Sequence, residues 1–360
     1  SGGVDSSVAA FLLQDRGFEV HGVFMKNWDD ENAICNAEDD YADALSVCNQ
    51  LQIPLKKINY TKEYKERVFS QFLDDHQNGF TPNPDVLCNK EIKFDVFQKY
   101  AKEIGALKIA SGHYAKIVRS DNNFFICKAR DSSKDQSYFL YQLSSKILAN
   151  IEFPLGDILK KDIRKIAQEN NLINASKKDS TGICFIGDRK YNDFVGKFLK
   201  SNKGKIITVD GEELGMHNGH MYFTVGQRKG LGIGALHSAF DKPWYVVNKD
   251  IERNIVYVAQ GTDHPALFSN QLLADNMFWN QDISKSLPLK CKAKVRYRDV
   301  DHSCQILSSN EDECYIKFDN EIKAITTGQS IVLYNEHGVC IGGGIIRKRN
   351  IPFLGEELNE

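Results

Sequence analysis

Ser1-Gly2-Gly3-Val4-Asp5-Ser6-Ser7 opens the chain, and the architecture of the first domain turns on this string. Glycines let a backbone approach a ligand closely, and a helix N-terminus offers unpaired N–H groups at the positive end of the helix dipole. Val4 to Arg16 reads as a helix with Gly17 as its C-cap, so Ser1, Gly2, Gly3, Val4 and Ser6 gather where an anion would bind. Ser and Gly also favour plain helix starts. The full string nevertheless points to a nucleotide phosphate. Asp5 suits phosphate poorly and suits magnesium well, because Mg2+ takes carboxylates together with phosphate oxygens. No G-K-[ST] is present after it, so this is not a Walker A loop.

Beyond the loop, helix and strand alternate. Phe18–Met25, Ile53–Tyr60 and Leu107–Ser111 read as strands; Asp39–Gln52, Thr61–Asn78 and Lys90–Ile104 read as helices. This rhythm predicts an α/β domain with a parallel sheet wrapped by helices. From about Gly204 the character changes to short β-rich runs between turns: Lys205–Val209, Met221–Val225, Trp244–Asn248 and Asn254–Ala259. Cys291–Arg298, Cys304–Leu307, Glu313–Phe318, Ser330–Tyr334 and Val339–Ile346 come next, as expected of a small β-rich domain and then a barrel or sandwich.

At 360 residues the chain should hold two or three domains, and 42% hydrophobic with 26% charged residues is the profile of a soluble globular protein. No apolar run approaches the ~18 residues that would span a membrane. The chain starts on Ser1 rather than Met, so further residues are expected before it. Lys and Arg (46) nearly balance Asp and Glu (48), so any nucleic-acid surface must be a local cluster. The nine cysteines form no C-x-x-C pair, which argues against a zinc ribbon and fits a reducing, cytoplasmic setting.

Two cysteines stand apart from the rest. Cys88 comes after the stiff loop Thr81-Pro82-Asn83-Pro84-Asp85-Val86-Leu87 and should sit at the N-terminus of the next helix, which would favour its thiolate. Asp85, three residues earlier, is a candidate acid or base, and Lys90 and Lys93 add positive field. Cys184 lies in the polar loop Ser176–Asp188, near Lys177, Lys178 and Arg189. Cys127, Cys291, Cys314 and Cys340 fall in strand-like runs and read as inert core residues, as do Cys35 and Cys48.

The opening string resembles the PP-loop of the ATP pyrophosphatases. A closer resemblance, to the bacterial tRNA-specific 2-thiouridylases (the MnmA family), rests on five motifs in order. They are Asn83-Pro84-Asp85-x-x-Cys88-Asn89-Lys90-x-Ile92-Lys93-Phe94, Ser111-Gly112-His113-Tyr114-Ala115, Lys134-Asp135-Gln136-Ser137-Tyr138, Asp179-Ser180-Thr181-Gly182-Ile183-Cys184-Phe185-Ile186-Gly187 and Gly226-Gln227-Arg228-Lys229-Gly230-Leu231-Gly232.

The resemblance implies a Rossmann-like PP-loop catalytic domain over 1–192, a small β-rich domain over 193–262 and a tRNA-binding β-barrel over 263–360. It implies that ATP, with Mg2+, adenylates the C2 oxygen of a wobble uridine. Cys184 would carry a persulfide delivered by a sulfur-carrier protein or cysteine desulfurase. Cys88 would act as nucleophile and could join Cys184 in a disulfide reduced each cycle, with Asp85 as acid or base. Met25 and Gly112 match positions that hold adenosine; Asn83, Pro84 and Asp85 match positions facing the target base. His113, Lys134, Asp135, Gln136, Arg296, Tyr297 and Gln329 match tRNA-contacting positions. An iron–sulfur cluster on Asp85, Cys88 and Cys184 is the weaker idea, with three ligands and no C-x-x-C. Another PP-loop enzyme would not need two loop cysteines, and a pure tRNA-binding module would bind without consuming ATP.

One RNA signal comes from the residues themselves. Lys290, Lys292, Lys294, Arg296 and Arg298 alternate with Cys291, Ala293, Val295 and Tyr297, and period two would put the five cations on one strand face. An ordinary solvated strand face has the same pattern. Five cations with no carboxylate among them point to phosphates. Arg347-Lys348-Arg349 is a second cluster.

Overall fold

The computed structural model describes residues 2–29, 36–178, 183, 185–187, 189–233, 242–310, 312–355 and 358. The chain forms two compact units. One comprises residues 1–70, 84–189 and 337–341; the other comprises 71–83, 190–336 and 342–360.

In the first unit, Val4–Asp15 is helical, and Gly17 takes φ +83° to close the last turn, its N–H reaching Gln14 O at 2.8 Å. The apolar face of this helix (Val4, Val8 and Ala9) packs with Tyr114 and Leu155. It also packs on Ile163 and Ala167 of helix Lys160–Glu169. That packing fixes where the second helix begins relative to the glycine loop. Strand Gly22–Lys26 pairs in parallel with Leu55–Asn59, and Ile109–Ala110 pairs in parallel with Ile151–Glu152, as the βα alternation requires. Ala115–Ser120 and Asn123–Lys128 form an antiparallel hairpin. Its edge residue Cys127 bridges Val339, and Lys128 N–H donates to Gly338 O at 3.0 Å.

The stretch around Cys88 differs from expectation. Helical structure starts at Pro84 and runs as Pro84–Leu87, a wide π-helical stretch Cys88–Val96, and Phe97–Glu103. Cys88 therefore lies a turn inside the helix rather than at its start. The reason is chemical: a proline is well suited to the first helical position, where its missing N–H is not needed. Cys88 and the apolar residues Ile92 and Phe94 are buried.

In the second unit, Glu213–His217, Gly204–Thr208, Ile255–Gln260 and Trp244–Asp250 form a four-stranded sheet in that order. Met221–Val225 is not a strand. His220–Tyr222 makes a tight turn between Gly219 and Gly226, both at positive φ, and its apolar residues are buried without strand pairing. The loop Gly226–Gly230 is a closed turn in which Gln227 accepts from Thr224 N at 3.0 Å and donates to Lys229 O at 2.9 Å.

Six strands close a barrel in the order Phe268–Trp279, Glu313–Lys323, His302–Ser309, Leu289–Lys294, Ser330–Tyr334, Cys340–Arg349. Closure leaves no free edge for another chain to pair with. Segment 80–81 is seated on a turn of this unit. Thr81 N–H donates to Thr327 O at 2.9 Å, Gln329 Nε2 donates to Thr81 O at 2.7 Å, and the Arg347 guanidinium lies 4.7 Å from the Phe80 ring centre.

Candidate active site

The loop Gly2–Ser7 is shaped by three kinds of contact. Gly3 is the N-cap and, lacking a side chain, contributes no capping bond of its own to the first N–H groups. The Ser6 and Ser7 hydroxyls donate back to Gly3 O at 2.9 and 3.0 Å, which leaves anion binding mainly to the backbone. Buried Asn174 donates to Gly2 O at 3.0 Å and to Ser7 Oγ at 2.9 Å, fixing the loop from outside. Gly112 closes the other side. A Cβ there would stand 2.9 Å from both Asp5 C and Ser6 N. Gly112 lies just past strand Ile109–Ala110, and Met25 lies near the end of strand Gly22–Lys26. Carboxyl ends of parallel strands are where α/β folds bind nucleotides. Ser1 lies outside the described residues.

Asp5 is not a bare carboxylate awaiting a metal. Lys160 Nζ bonds both of its oxygens, at 2.7 and 2.9 Å, and Tyr114 OH donates to Oδ1 at 2.8 Å. No group of three or more His, Cys, Asp or Glu able to hold a metal occurs among the described residues. A magnesium ion accompanying a triphosphate needs only one or two protein carboxylates, since phosphate and water supply the rest. Asp5, with its side chain 31% exposed, fits that minimal role.

Around Cys88, the environment separates two titratable groups. Burial raises the carboxyl pKa of Asp85, with Lys93 opposing. His113 is held well below the usual imidazole range, by burial first and by Lys93 second. Its Nδ1 lies 2.7 Å from Ser111 Oγ, and its ring packs between Phe94 and Phe153. Burial thus biases the Asp85 carboxyl towards its acid form and the His113 imidazole towards its neutral form, with Lys93 acting on both. An Asp pKa raised on folding means the ionised form weakens the fold, so stability falls as pH climbs past the unfolded value near ~4. Asp85→Asn is expected to raise Tm at pH 7 by about 2 °C and to flatten its fall above about pH 4. Scanning fluorimetry across that range checks this; an unchanged pH profile would contradict it.

Cys184 lies outside the described residues, together with 179–182. Its flanks are anchored. Lys177 Nζ bonds Asp40 and Asp43 at 2.8 and 2.6 Å, and Phe185 is fully buried among Trp28, Tyr64 and Phe69. Cys127, Cys291, Cys314 and Cys340 are buried in or beside strands, and Cys48 is buried in helix Asn36–Gln50; Cys35 is outside the described residues.

The turn Lys134–Gln136 faces partly inward. Asp135 is buried and accepts from Ala129 N and Ser137 N, while Gln136 Oε1 accepts from Tyr114 N at 2.9 Å. In the second unit, the expected five-cation face does not form. The strand stops at Lys294, which is 7% exposed, and Arg298 sits in the next turn at φ +64°. Carboxylates do approach: Lys292 Nζ lies 3.0 Å from Glu336, and Arg296 Nε lies 3.5 Å from Asp299. Arg298 stacks over Tyr297 at 5.4 Å. Gln329 Nε2 donates to Thr81 O at 2.7 Å. Sequence reading missed Tyr114, Lys160 and Asn174 as site residues; only Tyr114 lay inside a quoted motif.

A glycine loop feeding a helix, closed by a second glycine past a parallel strand and joined to two β-domains, defines a PP-loop α/β nucleotide-binding enzyme. Three family profiles match in succession: tRNA methyl transferase HUP domain over residues 1–188, tRNA methyl transferase PRC-barrel domain over 192–260, and aminomethyltransferase beta-barrel domain over 269–346. The tRNA-specific 2-thiouridylase MnmA of Legionella pneumophila (strain Lens) is 49% identical, covering 97% of each chain. That of Klebsiella pneumoniae (strain 342) is 51% identical over 97% of this chain and 95% of its own. NMN synthetase from Francisella tularensis is similar over 54% of this chain and 69% of its own, at 18% identity and a TM-score of 0.31, too loosely to bear on function. The chain belongs to the tRNA-specific 2-thiouridylase MnmA family.

Proposed function

We propose that this protein is an ATP-dependent sulfurtransferase that replaces the C2 oxygen of a wobble uridine in tRNA by sulfur. The family membership along nearly the whole chain carries the reading. The C2 oxygen is amide-like and a very poor leaving group. Its attack on the α-phosphate of ATP expels pyrophosphate and turns it into a phosphate ester leaving group. The terminal sulfur of a Cys184 persulfide then attacks C2 and AMP departs. The Cys88 thiolate then attacks Cys184 Sγ of the C2–S–S–Cys184 adduct and expels the C2-bound sulfur, leaving 2-thiouridine and a Cys88–Cys184 disulfide that a thiol reductant returns to two thiols. Asp85, biased towards its acid form, supplies or accepts the proton. Release of the persulfide sulfur as sulfide, with Cys88 as reductant, leads to the same product.

The Gly2–Ser6 backbone would hold the phosphates of ATP and Met25 and Gly112 its adenosine; Asp5 would be the protein ligand of an accompanying Mg2+, which would offset phosphate charge. Asn83, Pro84 and Asp85 face the target base. His113, Lys134, Gln136, Arg296, Tyr297, Arg298 and Gln329 belong to the tRNA surface, Arg296 and Arg298 being the exposed cations among them, whereas the expected contacts Lys294 and Asp135 are buried. A persulfide sulfur-carrier protein or cysteine desulfurase supplies Cys184, and the reaction takes place in the cytoplasm. No helix among the described residues is long and apolar enough to cross a membrane.

The test is nucleoside mass analysis of unmodified tRNA incubated with the protein, Mg-ATP and a persulfide donor. The expected product is uridine with one oxygen exchanged for sulfur, dependent on ATP and absent with Cys184→Ser. Unchanged tRNA with ATP cleaved to AMP would assign the loop to another acceptor. Unchanged tRNA with intact ATP would make the protein a binding module.

A further inference from the structure

Strands Leu289–Lys294 and His302–Ser309 of the barrel run antiparallel, and their register sets Cys291 directly opposite Cys304. The two sulfurs lie 3.5 Å apart, close enough to share one S–H. Opposed residues of an antiparallel pair hold their Cα atoms about 4.5–5.5 Å apart. A disulfide spans Cα atoms about 4.4–6.8 Å apart. Side-chain rotation alone can therefore bring these sulfurs to bonding distance, with no change of register. Cys314 is a useful contrast. It is also buried in the barrel, but its register sets it opposite Ser309 on one side and Ala274 on the other, so no thiol faces it in either pair.

The place of the pair gives it a consequence. Beyond Ala293 and His302, the last residues matched between the two strands, the chain turns through 295–301, the segment that carries Arg296, Tyr297 and Arg298. Cys291 and Cys304 thus stand one matched pair further in from that turn. Their setting also limits what can oxidise them. Both are buried, so a small uncharged peroxide can reach them where a glutathione-sized disulfide would have to enter the barrel. The Cys304 thiol is held above its ordinary pKa by the Cys291 sulfur first and by burial second, so its reaction is slow. Once either sulfur is oxidised to a sulfenic acid, a thiol already stands 3.5 Å away to condense with it.

We propose that Cys291 and Cys304 are a peroxide-closable dithiol, whose cross-strand disulfide staples the hairpin beneath the turn 295–301. The peroxide O–O bond breaks as one thiol takes an oxygen atom, leaving a sulfenic acid and releasing water from hydrogen peroxide or an alcohol from an organic peroxide. The second thiol then displaces the sulfenic oxygen as water, and the S–S bond forms. The protein loses two hydrogens with their electrons, and the peroxide is reduced. The staple keeps the existing register, so the turn keeps its place. That last consequence for tRNA rests on the reading of Arg296–Arg298 as an RNA surface; the disulfide does not.

The test treats the native full chain with hydrogen peroxide, alkylates the remaining thiols under denaturing conditions, and maps peptides by mass without reduction. The peptide bearing Cys291 should be joined to the one bearing Cys304, two hydrogens below their summed mass. In Cys304→Ala the cross-link should vanish and Cys291 should accumulate sulfinic and sulfonic acid instead, having lost the thiol that traps its sulfenic acid. Should that variant fail to fold, the wild-type map decides alone. Either cysteine over-oxidised in wild type without a cross-link, a cross-link to Cys314 instead, or both cysteines recovered as free thiols after prolonged treatment would each overturn the proposal. The tRNA affinity of the cross-linked protein should stay within about threefold of the reduced form. A loss of about tenfold or more that dithiothreitol reverses would show that the bond deforms the hairpin, and would overturn the staple. Reduced protein that binds no tRNA would instead bring down the reading of the RNA surface and leave the disulfide standing.

Discussion

Cys88→Ser is expected to lower single-turnover thiolation from a persulfide donor by at least ~10³-fold, while ATP affinity stays within about threefold of wild type. Cys88 is 5% exposed, on the wide helical stretch less than one turn beyond Asp85. Serine keeps the size and polarity of the side chain but removes the sulfur, so folding and the glycine loop should survive while the displacement at sulfur is lost. The measurement pairs mass analysis of the tRNA nucleosides with calorimetric titration of ATP. Thiolation within tenfold of wild type would move the chemistry away from this thiol. Loss of both thiolation and ATP binding would show that Cys88 supports the fold of the unit instead.

Gly112→Ala should have the second largest effect. Its methyl group would stand 2.9 Å from Asp5 C and Ser6 N and 3.1 Å from Asp5 O, all backbone atoms that cannot swing aside as a side chain does. Overpacking of this kind costs about 1–3 kcal/mol. Here the strain falls on the segment that binds phosphate, and each ~1.4 kcal/mol is tenfold in affinity. ATP affinity is therefore expected to drop by about tenfold to 100-fold, read by titration, with a Tm change of only a few degrees. Wild-type ATP affinity would show that Gly112 does not close the nucleotide site.

What the sequence discloses and what it hides divide along a physical line. The glycine loop, its helix and the Gly17 cap are local, and each depends on residues within one or two turns. The β-rich character of the later chain is equally local, and Ser330–Tyr334 is a strand with the bounds its composition suggests. The bonding around Asp5 is not local. Tyr114 and Lys160 reach it from 109 and 155 residues away, and no periodicity links such positions. The failed cation face has a different cause. Period two reports which side a residue would take if the strand continued, but it does not say where the strand stops. Lys294 is the last residue before a turn in which Arg298 takes positive φ, and the alternation persists in sequence after the strand has ended. Pro84 misled in a third way, since a proline that breaks a helix interior also starts a helix well.

Among the described residues, the strand Asn123–Lys128 of the hairpin Ala115–Lys128 is bridged on its outer side by residues 338 and 339. A chain leaving the ribosome at roughly 5–20 residues per second needs on the order of 10 to 40 s to cover the 210 residues between Cys127 and His337. For that interval the nucleotide-binding unit waits with an unpaired strand edge, although most of its own sequence has already been made. Vectorial synthesis therefore does not finish this enzyme from front to back, and the first unit to begin folding is completed only after the barrel is nearly all translated.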